Sequence, residues 1–443
     1  MSRSRLLCLT LMAVIAVSAG SSTASSEPSS VTDTGATEVW QPTDRIAYES
    51  DKRAWTGLLD GDGRGTIFSG GVYRDYRVVT GQFSAPRTLA KGQPTMHVDA
   101  GVRGQQCALW DGDFGVALAC RETINRPWTK VTVSRQGDAQ ALDIAVGSDG
   151  RDAIAVWARM TPRKAKIYAS RFDLTTKRLD PAFRLGSPLV RRLPVSTEVF
   201  ANATGYTVAH GKQGDDPDRV VSTYLQSTLD GRIWNNLVPV RMETPDGRYR
   251  KVVLTELRSR SFGAFGLATQ VTTGEPTEWM LASLQLSAVL PVATLPPMLR
   301  PTLAVVGDRA TVIGASPTNG DLLAYRPDTR VTTTITAPTM PEGDARIGHF
   351  SAIGQTSGPR AGFTVVAEYF AYDGTDERAD RLFAVSGFIQ SPNGGMDVSA
   401  FTELTSRPSY EDGMSPRLSG GGRYALVVYG AGGEIRFGAR SPK

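Results

Sequence analysis

The sequence predicts an all-β fold, a β-propeller of about eight four-stranded blades whose ring is closed by an N-terminal strand. Three observations carry that prediction. From about residue 38 onward there is almost no sustained apolar pattern at 3.6-residue spacing, while short runs rich in Val, Ile, Thr, Tyr and Phe recur between Gly, Asp, Asn and Pro. One strand–turn–strand unit, DIAVGSDGRDAIAVW at 143–157, returns in seven looser copies. The turns of these copies fall near positions 62, 102, 149, 204, 260, 307, 357 and 421, so the period is close to fifty residues. That is room for four short strands, the length of a propeller blade. Seven blades result if one weak unit is only an insertion. A pair of β-sandwiches is the competing architecture, but sandwiches do not require one strand grammar repeated over four hundred residues.

Taken in chain order, residues 1–24 read as a signal peptide. Arg3 and Arg5 precede an apolar run from Leu6 to Val17 and then small residues, with cleavage expected after Ala19 or Ala24. The run is too short to span a bilayer, and the nearest later candidate, 286–299, is interrupted by three prolines, so no membrane span is expected. Residues 25–37 are Ser/Thr-rich and read as a disordered leader, and 38–443 as one propeller domain. Removing Arg3 and Arg5 leaves 47 basic against 44 acidic residues with no basic cluster. Nucleic acid is therefore not an expected partner. The expected localisation is secreted, and the expected partner an extracellular ligand, glycan or protein.

The last unit ends after a third strand, EIRFGAR, and lacks a fourth. Trp40 stands 22 residues before Asp62, as Trp128 stands 21 before Asp149. Trp40 is therefore expected to supply the missing strand. In the opening unit, strand Leu142–Val146 should meet a turn at Ser148–Gly150 and a second strand ending at Trp157. KIYASRF and PAFRLGS follow as third and fourth elements. Cys107 and Cys120 are the cysteines left after the leader. If 112–115 form a hairpin loop, residues whose numbers sum to 227 face each other, pairing Cys107 with Cys120 as a cross-strand disulfide in an exported compartment. Two free buried thiols are the alternative.

STLDGRIW at 227–234 resembles a degenerate Asp-box, the Ser-x-Asp-x-Gly-x-Thr-Trp turn of secreted bacterial sialidase-like (BNR) repeat propellers. Ser227, Gly231 and Trp234 match, Asp230 comes one residue late, Leu229 takes the Asp position and Ile233 replaces Thr. The resemblance implies a propeller and gives the box a structural role remote from the active site. A sialidase-like site would also need three arginines, a Tyr/Glu pair and an acid. VYRDY offers Arg74 for the first of these, but with Asp75 and Tyr76 in place of Ile-Pro and on an outer strand.

Other candidates are bland turns or site residues. Glu368 and Asp373, and the loop at 212–218, are acidic loop candidates for paired-carboxylate chemistry. His97 and His349 fall in innermost strands and are candidates for the channel lining; His210 is the third histidine. DGDG at 60–63 and DGDFG at 111–115 alternate Asp as calcium loops do but lack the distal Glu, so they read as turns. No metal site or cofactor is expected. The function this supports is an extracellular binding or interaction module, with a secreted carbohydrate-active hydrolase or lyase as the alternative and a structural envelope protein as a third reading.

Overall fold

The computed structural model describes residues 39–40, 44–49 and 55–441, apart from 93, 161–164, 187–196, 214–219, 244–248, 260–262, 270–278, 286–287, 358–359, 376, 390–395, 406–413, 415, 422 and 432–433. The expected signal peptide and leader, and most of the 212–218 loop, lie outside the described residues. Within the compact unit Glu38–Lys443 the protein is an all-β propeller.

Seven blades are each built from four consecutive antiparallel strands, starting at the channel. Their innermost strands are Trp55–Leu59, Met96–Ala100, Ala139–Val146, Thr197–Asn202, Val253–Ser259, Leu299–Val306 and Arg346–Ser357, defining blades 1 to 7. The eighth turn-centred unit does not follow the pattern, so the count of contiguous blades is seven, not eight. The C-terminal strands Arg417–Gly421, Tyr424–Ala431 and Glu434–Ser441 form a composite sheet whose last strand pairs with Val39–Trp40. Val39 lies opposite Ser441 and Trp40 opposite Arg440. The reason for the difference is local: three strands end the chain, and their outer edge is met by residues four hundred positions away.

Period-2 alternation places one face of each sheet on its predecessor and the other on its successor. Blade 2 packs on blade 3 through Cys107, Leu109, Leu118, Ile144, Ala155 and Trp157. Blade 3 packs on blade 4 through Ile154, Val156, Ile167, Val199 and Val208. The composite sheet packs on blade 7 through Val366, Leu382, Val427 and Tyr429, and on blade 1 through Leu59, Ile67, Leu426 and Val428. Small residues, Ala153, Ala155, Ala158, Ala165 and Ala169, let the blade 3 sheet sit close to both neighbours with full burial at each position. A residue such as Trp157, buried and stacked on Tyr168 with ring centroids 5.5 Å apart, contributes roughly 2–3 kcal/mol through burial.

The opening stretch forms the first two strands of blade 3. Its turn closes through the Gly147 amide to the Asp152 carbonyl, Asp149 Oδ1 accepts the Arg151 amide at 2.9 Å, and Gly150 takes φ of +69°. Asp149 and Gly150 are thus turn chemistry, as asparagine-like capping and positive φ require. In blade 2, Asp111 pairs with Val116 and Cys107 with Cys120, and the two sulfurs are bonded.

Candidate binding channel

The innermost strand of a blade is a sheet edge, so its inward N–H groups need acceptors. In blades 3 to 6 the acceptors come from carboxylates of the preceding blade. Asp99 Oδ2 accepts the Val146 amide at 2.7 Å, and Asp143 Oδ2 accepts the Val199 amide at 2.8 Å. Glu256 Oε2 accepts the Leu303 amide at 3.1 Å while its Oε1 accepts the Thr302 hydroxyl at 3.2 Å. Glu198 engages the Leu257 amide. Between blade 7 and the composite sheet a hydroxyl serves instead, Ser351 Oγ accepting the Leu418 amide at 3.2 Å.

These carboxyl groups line one wall of a cavity of about 1270 Å³, walled by the inner strands of blades 2 to 5 and reaching Thr302 of blade 6. Burial dominates their titration. It pushes Asp99 up to about 6, Glu198 up to about 7 with Glu256 adding repulsion and Arg258 opposing it, and Asp143 up to about 8 with Glu198 and Asp99 adding. The wall therefore holds protonated and ionised carboxyls side by side near neutral pH. It can both donate and accept hydrogen bonds, and it carries partial negative charge.

The predicted site residues are dispersed. His97 lines this cavity, and burial lowers its basicity although Asp111 opposes that. His349 lies in blade 7, is not among the residues lining the cavity, and bonds Glu368 instead. Glu368 is not a loop residue. It sits inside strand Arg360–Tyr372 with no exposed surface, because its neighbours Gly348 and Arg378 leave it room and a counter-charge. Asp373 is at a turn, where its Oδ1 accepts the Thr375 amide at 2.9 Å, and the two acids share no site.

The degenerate Asp-box folds as a tight turn. Ser227 N–H donates to Asn235 Oδ1, Thr228 bridges to Trp234, and Asp230 Oδ1 accepts the Arg232 and Ile233 amides at 2.8 and 3.0 Å. Gly231 has φ of +73°, and Trp234 is buried against blade 3. Arg74, the sialidase-like candidate, is on the third strand of blade 1, where it donates to the Ser84 carbonyl and lies over the Phe83 ring; it is not among the residues lining the cavity. Asp60 and Asp111 are likewise used as turn or edge acceptors, Asp60 Oδ1 for the Asp62 and Arg64 amides and Asp111 Oδ1 for the Ala141 amide. Among the described residues no group of three His, Cys, Asp or Glu side chains is placed to hold a metal.

Sequence reasoning missed the wall itself. Asp99, Asp143, Glu198 and Glu256 stand in VDA, LDI, TEV and TEL, one acid in the innermost strand of each of blades 2 to 5. An acid recurring in an otherwise apolar first strand was the available signal.

No protein-family model matches the chain, and no curated protein sequence matches it. Similar solved structures include the Dos1 propeller, with a TM-score of 0.49 at 8% identity, covering 91% of this chain and 95% of that one. An oligogalacturonate lyase in complex with manganese aligns with a TM-score of 0.42 at 12% identity over 80% of this chain and 99% of its own. The polysaccharide lyase Uly1 aligns with a TM-score of 0.43 at 9% identity over 77% and 88%. At these identities the likeness concerns fold only.

Proposed function

We propose that the protein is an extracellular binding module whose ligand enters the channel of the propeller and meets the carboxyl wall of blades 2 to 5. The observation that carries this reading is the coincidence of a cavity of about 1270 Å³ with Asp99, Asp143, Glu198 and Glu256 on its surface. A wall that mixes protonated and ionised carboxyls suits a donor-rich polar ligand, such as a glycan end or a protein loop carrying hydroxyl and amino groups. The sialidase-like alternative lacks support because Arg74 is spent on Ser84 and Phe83. Export is supported by Arg3, Arg5 and the apolar run after them, by the Cys107–Cys120 disulfide, and by the absence of a long apolar helix among the described residues. We further assign to Val39–Trp40 the closing of the ring, supported by their pairing with Arg440 and Ser441.

A glycan array with neutral and amino-sugar oligosaccharides, followed by calorimetric titration, tests the reading. Binding should weaken about tenfold in Glu256→Gln, the loss of one charge-assisted hydrogen bond. Retention of full affinity in both Glu256→Gln and Glu198→Gln would place the ligand elsewhere. N-terminal sequencing of protein recovered from culture medium tests export, with a start at residue 20 or 25 expected.

A further inference from the structure

Blade 7 carries a second constellation, separate from the channel wall. Ile347 pairs with Tyr369 and Phe350 with Ala367, so Gly348 and His349 both lie opposite Glu368 in a β-bulge. Bulges re-aim a side chain and recur beside active sites. Here the bulge turns His349 onto the buried carboxylate. Glu368 Oε2 accepts the His349 amide at 3.1 Å and stands 3.0 Å from its Nδ1. Glu368 Oε1 accepts from Arg378 at 2.7 Å. Arg378 also donates from Nε to Asp380 at 2.5 Å and covers the Phe370 ring at 3.9 Å. Glu368 and Asp380 are both fully buried. A Cβ on Gly348 would lie 2.8 Å from the Glu368 carboxyl carbon, so glycine is what admits the carboxylate.

An ionised carboxylate only accepts, so Nδ1 must carry the proton and the lone pair is left on Nε2. The His349 side chain keeps 59% of its surface in solvent, so that lone pair is reachable. A network that only held the blade together would need no exposed imidazole at its end. Arg346, exposed on the same strand, lies over the Tyr372 ring.

We propose that His349 is the general base of an ester-hydrolysing site, with Glu368 as its positioning residue. This goes beyond the binding reading and uses none of its residues. In the step, Nε2 takes a proton from water as the water oxygen bonds to the ester carbonyl carbon and the carbonyl electron pair moves to oxygen. The pair returns as the bond to the alkoxy or phenoxy group breaks, and the leaving group departs with that bond's electrons. The proton then passes from Nε2 to the leaving group or solvent, giving acid and alcohol. The step draws its acceleration from general-base activation of water by the positioned imidazole.

The test uses the full-length chain and p-nitrophenyl acetate, together with ¹⁵N NMR of the imidazoles. With three histidines in the chain the spectrum is assignable by single substitutions. His349 should show the Nδ1–H tautomer, and His349→Ala should lower the hydrolysis rate about 100-fold. Glu368→Gln should shift the tautomer equilibrium toward Nε2–H, lower the rate about tenfold and alter its pH profile, which a merely structural role would not do. If Glu368→Gln does not fold, Gly348→Ala displaces the carboxylate while keeping both partners and should give the same tautomer change. An Nε2–H tautomer in the unsubstituted protein would overturn the proposal, as would a rate that His349→Ala leaves unchanged.

Discussion

Asp143 makes stability depend on pH in an unusual direction. Its carboxyl is pushed up to about 8 by burial, from an ordinary value near 3.8. A group whose folded value is raised binds its proton more tightly in the folded state. The folded state is therefore favoured most below the unfolded value, and that advantage is lost as pH rises from about 4 through 8. Four pH units correspond to about 5 kcal/mol if the group were wholly cut off from water. Asp143 keeps part of its surface on the channel, so roughly half of that, ~2–3 kcal/mol, is expected. Asp143→Asn retains an oxygen to accept the Val199 amide and carries no charge at any pH. It should match the parent near pH 4 and below, and exceed it by a margin that grows to ~2–3 kcal/mol at pH 8. Urea unfolding monitored by tryptophan fluorescence at pH 5, 6.5 and 8 reads the difference. A variant no more stable than the parent at pH 8, or a variant-minus-parent difference that does not grow from pH 5 to 8, would refute the reasoning.

Three further outcomes follow from buried or strained groups. His210 is fully buried with neither ring nitrogen hydrogen-bonded, and burial lowers it to about 3. Its unfolded form takes up a proton below about pH 6.5, so it removes about 3 kcal/mol of stability between pH 6.5 and 4, and His210→Gln should abolish that slope in the same urea series. The Cys107–Cys120 bridge closes a loop of sequence separation 13, so the double serine variant should lose about 3 kcal/mol, read by calorimetry with and without reductant. Gly231→Ala places a Cβ 2.7 Å from Ile154 Cδ1 at a φ of +73°, and should cost about 1–3 kcal/mol while leaving channel binding intact.

The repeat was legible because it is enforced locally. Each blade must alternate apolar residues at period 2 and turn with Asp-Gly or its equivalents, so DIAVGSDGRDAIAVW carries its own fold in fifteen letters. The disulfide register was legible for the same reason: a hairpin loop at 112–115 determines every opposite pair, and Cys107 falls against Cys120. The blade count failed at the chain ends, where units stop being contiguous. A turn near 421 marks a sheet whose last strand, Glu434–Ser441, pairs with both Val39–Trp40 and Asp44–Glu49, contacts that no local pattern announces.

The carboxyl wall was harder to see because its logic runs between blades. Asp99, Asp143 and Glu256 accept amides at separations of 47, 56 and 47 residues, close to one repeat. Such a contact is a nearest-neighbour interaction in the ring but a long-range one in the chain. Read singly, each acid looks like an interruption of an apolar strand. Compared in register, they form a rule for blades 3 to 6: the inner edge of each is satisfied by an acid from the blade before. Glu368 shows the converse error. Its context, AEYFAYDGTDERAD, is acidic and turn-rich, which reads as a solvated loop. Only the bulge at Gly348 and the cross-strand Arg378 explain why that acid is buried. The same reasoning separates the two carboxylate systems functionally. Those of blades 2 to 5 hold backbone while presenting a surface to the channel, whereas the fully buried Glu368 holds the His349 amide, the Arg378 guanidinium and the imidazole of a half-exposed histidine.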